Sequence, residues 1–158
     1  MRRRSALVVG GLAAALLASS ASLSAKDELA TIAVLTGECS KLVVAGVDHS
    51  AICEGVIANF AYRSGHSSFQ FAATHVVAIG FYGTDHAAQG DESFITVEKI
   101  SINRLKGEPS IMVPASGKCT YTNPYAGPSR LLCSAISDGK AYSATFVSDG
   151  GEPAIKKL

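Results

Sequence analysis

A repeated cysteine spacing limits the fold more than any other feature. Cys39 and Cys53 are separated by the same interval as Cys119 and Cys133. Each first cysteine lies in a matching segment, Gly37-Glu38-Cys39-Ser40 and Gly117-Lys118-Cys119-Thr120. Between Cys119 and Cys133 stands Asn123-Pro124-Tyr125-Ala126-Gly127-Pro128. Proline cannot donate to a ladder, so these residues belong in a loop. A hairpin centred on Ala126 puts Cys119 opposite Cys133 and Tyr121 opposite Leu131. Opposed residues bring their Cβ atoms within disulfide reach. Asp138-Gly139 then has the composition of a type I′ turn. With it, Ala135 opposes Tyr142, Cys133 opposes Ala144, and Leu131 opposes Phe146. Both turns converge on one apolar face, so Gly117 to Phe146 reads as a three-stranded meander pinned by Cys119–Cys133. Four cysteines allow three connectivities. Cys39–Cys53 is the expected second bond, with Val47-Asp48-His49-Ser50 as the turn between.

The rest of the chain also reads as strands. Ala30–Thr36 and Leu42–Ala45 are two short ones. Ala51–Tyr62 is longer and returns through Ser64-Gly65 as Ser67–Thr74. A two-residue loop there sets Phe60 against Phe69, Ala58 against Phe71, and Val56 against Ala73, all on one face. Asn59 and Gln70 then oppose each other on the polar face. Cys53 has the wrong parity for the apolar face, which a bulge at Glu54-Gly55 would correct. His75–Gly83 reads as an apolar strand and Thr84–Glu92 as a polar loop. Ser93–Leu105 is a strand whose alternation changes phase near Glu98-Lys99. Lys106–Pro109 is a turn, and Ser110–Pro114 a short strand. Residues 26–29 and the tail Ser148–Leu158 read as loose ends. The sum is about eight to ten short strands and no helix beyond the N-terminal segment. The expected class is all-β, an antiparallel β-sandwich or small β-barrel.

Compartment follows from the N-terminus. Met1-Arg2-Arg3-Arg4 is a positive start, an apolar run reaches about Ala18, and Ser19 to Ala25 are small apart from Leu23. That order predicts a signal-peptide helix over residues 1–25 and one β domain with two disulfides over 26–158. No later run is long enough to span a bilayer as a helix, so no stable membrane insertion is expected after cleavage. The remaining chain has eleven basic residues against thirteen acidic, a net charge of about −2. Such a balance offers nothing for nucleic acid. The expected location is periplasmic or secreted.

Motifs that would carry chemistry are scarce. There is no C-x-x-C, H-E-x-x-H, P-loop or G-x-S-x-G. The cysteines are used as disulfides, and no catalytic, cofactor or metal site is expected. Ser137-x-x-Lys140 matches the motif of penicillin-recognising enzymes, but it spans a hairpin turn where theirs opens a helix. The best contact surface is the Pro-flanked loop with Asn123 and Tyr125, since tyrosine on a pre-organised loop anchors a partner at low entropic cost. The primary expectation is therefore an exported non-catalytic β domain, binding or structural. Its partner would be an extracytoplasmic protein or a small ligand.

Two further readings stand beside it. Ala115-Ser116-Gly117-Lys118 resembles the Ser-Gly loop of periplasmic lysozyme inhibitors, with Cys119 where those proteins carry a nearby tyrosine. That resemblance implies an inhibitor of an extracytoplasmic enzyme, such as lysozyme or a protease, acting through a projecting loop. Asp48-His49 and Asp85-His86 suggest a small hydrolase, with each histidine oriented by its carboxylate.

Overall fold

A computed structural model describes residues 27–104 and 107–158. The segment read as a signal peptide lies outside them, as do Leu105 and Lys106. The described chain forms ten strands. They are β1 (Leu29–Val44), β2 (Val47–Asp48), β3 (Val56–Tyr62), β4 (His66–Ala73), β5 (Val77–Gln89), β6 (Glu92–Asn103), β7 (Ile111–Thr122), β8 (Arg130–Ser137), β9 (Lys140–Ser148) and β10 (Ala154–Lys157). Every pairing is antiparallel. Neighbours run β1-β3-β4-β5-β6-β7-β8-β9, and β9 pairs back onto β1. This pairing closes an eight-stranded barrel, with β2 and β10 as additions, and decides between barrel and sandwich.

β1 makes closure possible by serving two neighbours in turn. Its first half pairs with β3 on one side and β10 on the other. Its second half, from Gly37 to Val43, pairs with β9 through an irregularity between Cys39 and Lys41. The two strands expected at Ala30–Thr36 and Leu42–Ala45 are thus one bulged strand. β10 resumes the line of β9 beyond Asp149–Pro153, so the tail expected to be loose is paired.

Strict alternation fills the interior. Along β8 every second residue is buried, beginning at Leu131. Phe71, Phe81, Phe146, Leu42, Ile79, Ile95, Ile100 and Leu131 fill the middle of the barrel. Each such side chain contributes roughly 1.5–3 kcal/mol by leaving water. Cys119 and Cys133 lie in the same core, 0% and 3% exposed. They are directly opposed and bonded, and the registers of β7–β8 and β8–β9 are those the two turns predict. Asp138 and Gly139 adopt φ of 48° and 69°, as a type I′ turn needs. Cys39 and Cys53 are also bonded. Two disulfides indicate an oxidising, extracytoplasmic environment.

Several expectations are corrected. The tight turn after β1 is Ala45-Gly46, with φ of 51° and 84°, not Val47–Ser50. Ser50–Ile52 forms a 3-10 turn, so β3 starts at Val56 and not Ala51. The ladder breaks at Glu54-Gly55, but not to correct a parity: Cys53 bridges Ala73 and shares the parity of Ile57, Asn59 and Ala61, which face inward. β5 and β6 continue through the supposed polar loop to Gln89 and Glu92. The phase change at Glu98-Lys99 is a bulge that keeps Ile95, Val97, Ile100 and Ile102 all inside. Ile111–Thr122 is a single strand, not a short one ending at Pro114. At the N-terminal end, residues expected to fray are held, since Arg63 N–H donates to the Glu28 carbonyl at 2.9 Å.

The correction with most consequence is in the β3–β4 hairpin. Ala61 pairs with Ser67, Phe60 with Ser68, Asn59 with Phe69, and Ala58 with Gln70. The loop therefore has three residues, Arg63-Ser64-Gly65. Gly65, at φ 88°, takes the left-handed position that ends a type I turn. The register is shifted by one from the two-residue reading. Ile57, Asn59 and Ala61 face inward, while Val56, Ala58 and Phe60 lie on the outer wall.

Candidate functional site

With its middle filled, the barrel has cavities at its two mouths. The upper mouth is framed by the β7–β8 loop and by β10. The loop is built locally: Asn123 Oδ1 accepts from the Tyr125 N–H at 2.9 Å, and the Ala126 N–H donates to the Asn123 carbonyl at 3.2 Å. Ser129 ties its far end down, donating from Oγ to the Thr122 carbonyl at 2.6 Å and from N–H to Ser148 Oγ at 2.8 Å. This fixed loop holds Tyr125 at the rim, 63% exposed.

Beneath Tyr125 lies a cavity of about 290 Å3. Leu35, Ile57, Phe69, Leu131 and Phe146 form its apolar wall, and Pro124, Pro153 and Ile155 narrow its entrance. Its volume is at the lower end of the roughly 300–1,000 Å3 of small-molecule sites. Asn59 and Tyr121 are its conspicuous polar residues. Tyr121 reaches across the mouth: its hydroxyl donates to Asp85 Oδ1 at 2.8 Å, and its ring meets Phe69 edge-on at 5.1 Å. Burial, then the hydrogen bond to Asp85, pushes the Tyr121 phenol well above its usual range. Asn59 Nδ2 donates to Ser67 Oγ at 2.7 Å and to the Ser68 carbonyl at 3.3 Å. Of the two predicted loop residues, Tyr125 lines this cavity, whereas Asn123 shapes the loop and faces a shallower depression beside Pro128.

The lower mouth holds a larger cavity, about 610 Å3, with Val77, Ile102, Val113 and Tyr142 at its floor. Its rim mixes Arg104 and Lys140 with Glu108 and Asp138. Ser137, from the Ser-x-x-Lys match, donates to the Pro114 carbonyl at 2.6 Å and pairs with Lys140 across the turn.

The Asp-His steps do not act as pairs. Asp48 Oδ1 accepts from the Ser50 N–H at 2.8 Å and from its hydroxyl, an Asx turn that leads into the 3-10 turn. Asp85 points to Tyr121, while His86 bonds Thr96 Oγ1 at 2.9 Å and stacks on Phe94. A cluster that sequence reasoning missed lies on the outer wall. Asp27 Oδ2 accepts from Ser64 Oγ at 2.7 Å and Tyr82 OH at 2.9 Å. His66 Nδ1 is 2.8 Å from Ser64 Oγ, its Nε2 is 3.7 Å from Glu98 Oε2, and its ring stacks on Tyr82. A carboxylate only accepts, so the single Ser64 hydroxyl proton goes to Asp27, and His66 Nδ1 donates to Ser64 Oγ. Activating a serine nucleophile needs the opposite polarity. The Ser64 hydroxyl also holds the Asp27 carboxyl below its usual range. No signal in the sequence joins Asp27 to Tyr82; only the barrel register does.

Ala115–Lys118 is not a loop. It lies inside β7, where Gly117 and Lys118 pair with both β6 and β8 and Ser116 pairs with β8, so no projecting loop stands where the inhibitor resemblance places one. Among the described residues no group of three or more His, Cys, Asp or Glu is arranged to hold a metal ion.

No protein-family model matches the chain, and no curated protein or solved structure is significantly similar to it.

Proposed function

We propose that the protein is an exported, non-catalytic binding domain that takes a small apolar molecule into the upper mouth of the barrel. The observation that carries this reading is the cavity under Tyr125. It is apolar, open to solvent, and walled by strands and a hydrogen-bonded loop, so little ordering is needed on binding. The lower cavity is larger, but its rim carries both signs of charge. Export and a periplasmic or secreted location fit the N-terminal sequence and the two disulfides.

The test is a titration with N-phenyl-1-naphthylamine, a neutral apolar fluorophore. Saturable, blue-shifted emission is expected from the folded protein, and Ala33→Phe, which fills the cavity, should abolish it. A linear response, or saturation unaffected by Ala33→Phe, would mean that the cavity is not a binding site.

A further inference from the structure

We infer that the upper cavity selects neutral apolar molecules carrying a hydrogen-bond donor, an alcohol or a phenol, and that Asn59 Oδ1 receives that donor. This rests on the reading of the cavity as a ligand site. Asn59 sits mid-wall, its backbone paired with Ala33 on one side and Phe69 on the other, and its side chain lines the cavity. The Ser68 carbonyl can only accept, so its contact with the carboxamide fixes which end is nitrogen. Oδ1 is therefore turned away from Ser68, and it receives no hydrogen bond from the described residues. Among those residues no buried side-chain nitrogen or oxygen lacks a partner. Oδ1 is thus reached from open space, and the space beside it is the cavity.

An acceptor on an apolar wall discriminates. A ligand without a donor displaces water from Oδ1 and leaves it unpaired, whereas a hydroxyl replaces the lost bond. The Ser129 and Tyr121 hydroxyls have given their protons within the protein, so toward a ligand their oxygens are also acceptors only and select in the same sense; the Asn59 variant isolates the share of Oδ1. The hydroxyls of Thr31 and Tyr125 can either donate or accept, so they favour neither kind of ligand. Among the described residues no charged side chain lines the cavity, which disfavours ions.

The experiment displaces N-phenyl-1-naphthylamine with 1-naphthol and with 1-methylnaphthalene, which differ only by hydroxyl against methyl. The affinity ratio of naphthol to methylnaphthalene should fall about tenfold on going from wild type to Asn59→Leu, the size of one hydrogen bond. If the probe binds but the ratio is the same in both proteins, selection by Asn59 is wrong and the ligand site stands. If the probe does not bind, both fall. Should Asn59→Leu fail to fold, the wild type decides by nitrogen-15 NMR. The Asn59 side-chain amide signals should move with 1-naphthol and stay with 1-methylnaphthalene; equal movement would overturn the inference.

Discussion

Gly117 lies where β8 leaves no room for a side chain on β7. A Cβ there would meet the Ser134 carbonyl oxygen and Ala135. Gly37 is placed the same way against Val147 and Ser148 of β9. The shared Gly-x-Cys segments therefore have a common local meaning: each glycine lets a neighbouring strand close in beside a disulfide. Gly117→Ala should cost about 2–3 kcal/mol, as overpacking does, while Ser116→Ala, exposed beside it, should stay within about 0.5 kcal/mol. Urea unfolding of both variants measures this, and equal midpoints would remove the constraint. Asn59 is the instructive failure of sequence reading. Counting apolar side chains set Phe60 inward and Asn59 outward, because Phe60 matches Phe69 so well. The three-residue loop decides otherwise, and Phe60 instead packs on the outer wall, paired to Ile32. One turn residue thus moved the site's main polar group from solvent to cavity.

Asp149 fastens the link between β9 and β10 to β1. The Thr36 hydroxyl donates to Asp149 Oδ2 at 2.6 Å, the Gly151 N–H to Oδ1 at 2.9 Å, and the Asp149 N–H to the Thr36 carbonyl at 3.0 Å. The Thr36 hydroxyl first, then the Gly151 amide, hold the Asp149 carboxyl below its ordinary value of 3.8. A depressed carboxyl stabilises the fold above the unfolded value, and that contribution is lost as pH falls through the lower folded value. Asp149→Asn should therefore lower Tm at neutral pH, and its gap from wild type should close below about pH 4. A gap that stays constant from pH 7 to pH 2 would show that the carboxylate charge is not what holds the strand. Faster amide exchange at Ala154–Lys157 in the variant would place the effect on β10. Neither β10 nor the outer half of the β5–β6 hairpin was legible in the sequence. Both extend beyond the core, so no alternation marks them. They are held by ladder bonds and contacts such as the Lys118 ammonium 4.3 Å from the Phe94 ring centre. Where strands cross the core, alternation and turn chemistry together specified the β7–β8 and β8–β9 registers.

Closing the barrel requires the ends of the chain to meet, since β1 pairs with β9 and with β10. Non-local closure of this kind is entropically slow, and the two disulfides each secure a local piece of it. Their contributions can be separated. Both close loops with the same sequence separation, 14 residues. In the chain-entropy model each restricts the denatured chain by about 3 kcal/mol. That share cancels when the two double variants, Cys39→Ala with Cys53→Ala and Cys119→Ala with Cys133→Ala, are compared. What remains is the native environment. Cys119 and Cys133 fill the barrel interior between Ala135, Ala144 and Leu131, whereas Cys39 and Cys53 are only partly buried at the edge of the core. Removing the inner sulfurs leaves an unfilled space, and lost core volume costs more than loop entropy alone. The Cys119/Cys133 variant should therefore be the less stable, by about 1–2 kcal/mol beyond the shared loss. Equilibrium urea unfolding of both variants measures the difference directly. Equal stabilities would mean that the inner disulfide acts only as a tether and that the barrel interior closes over its absence.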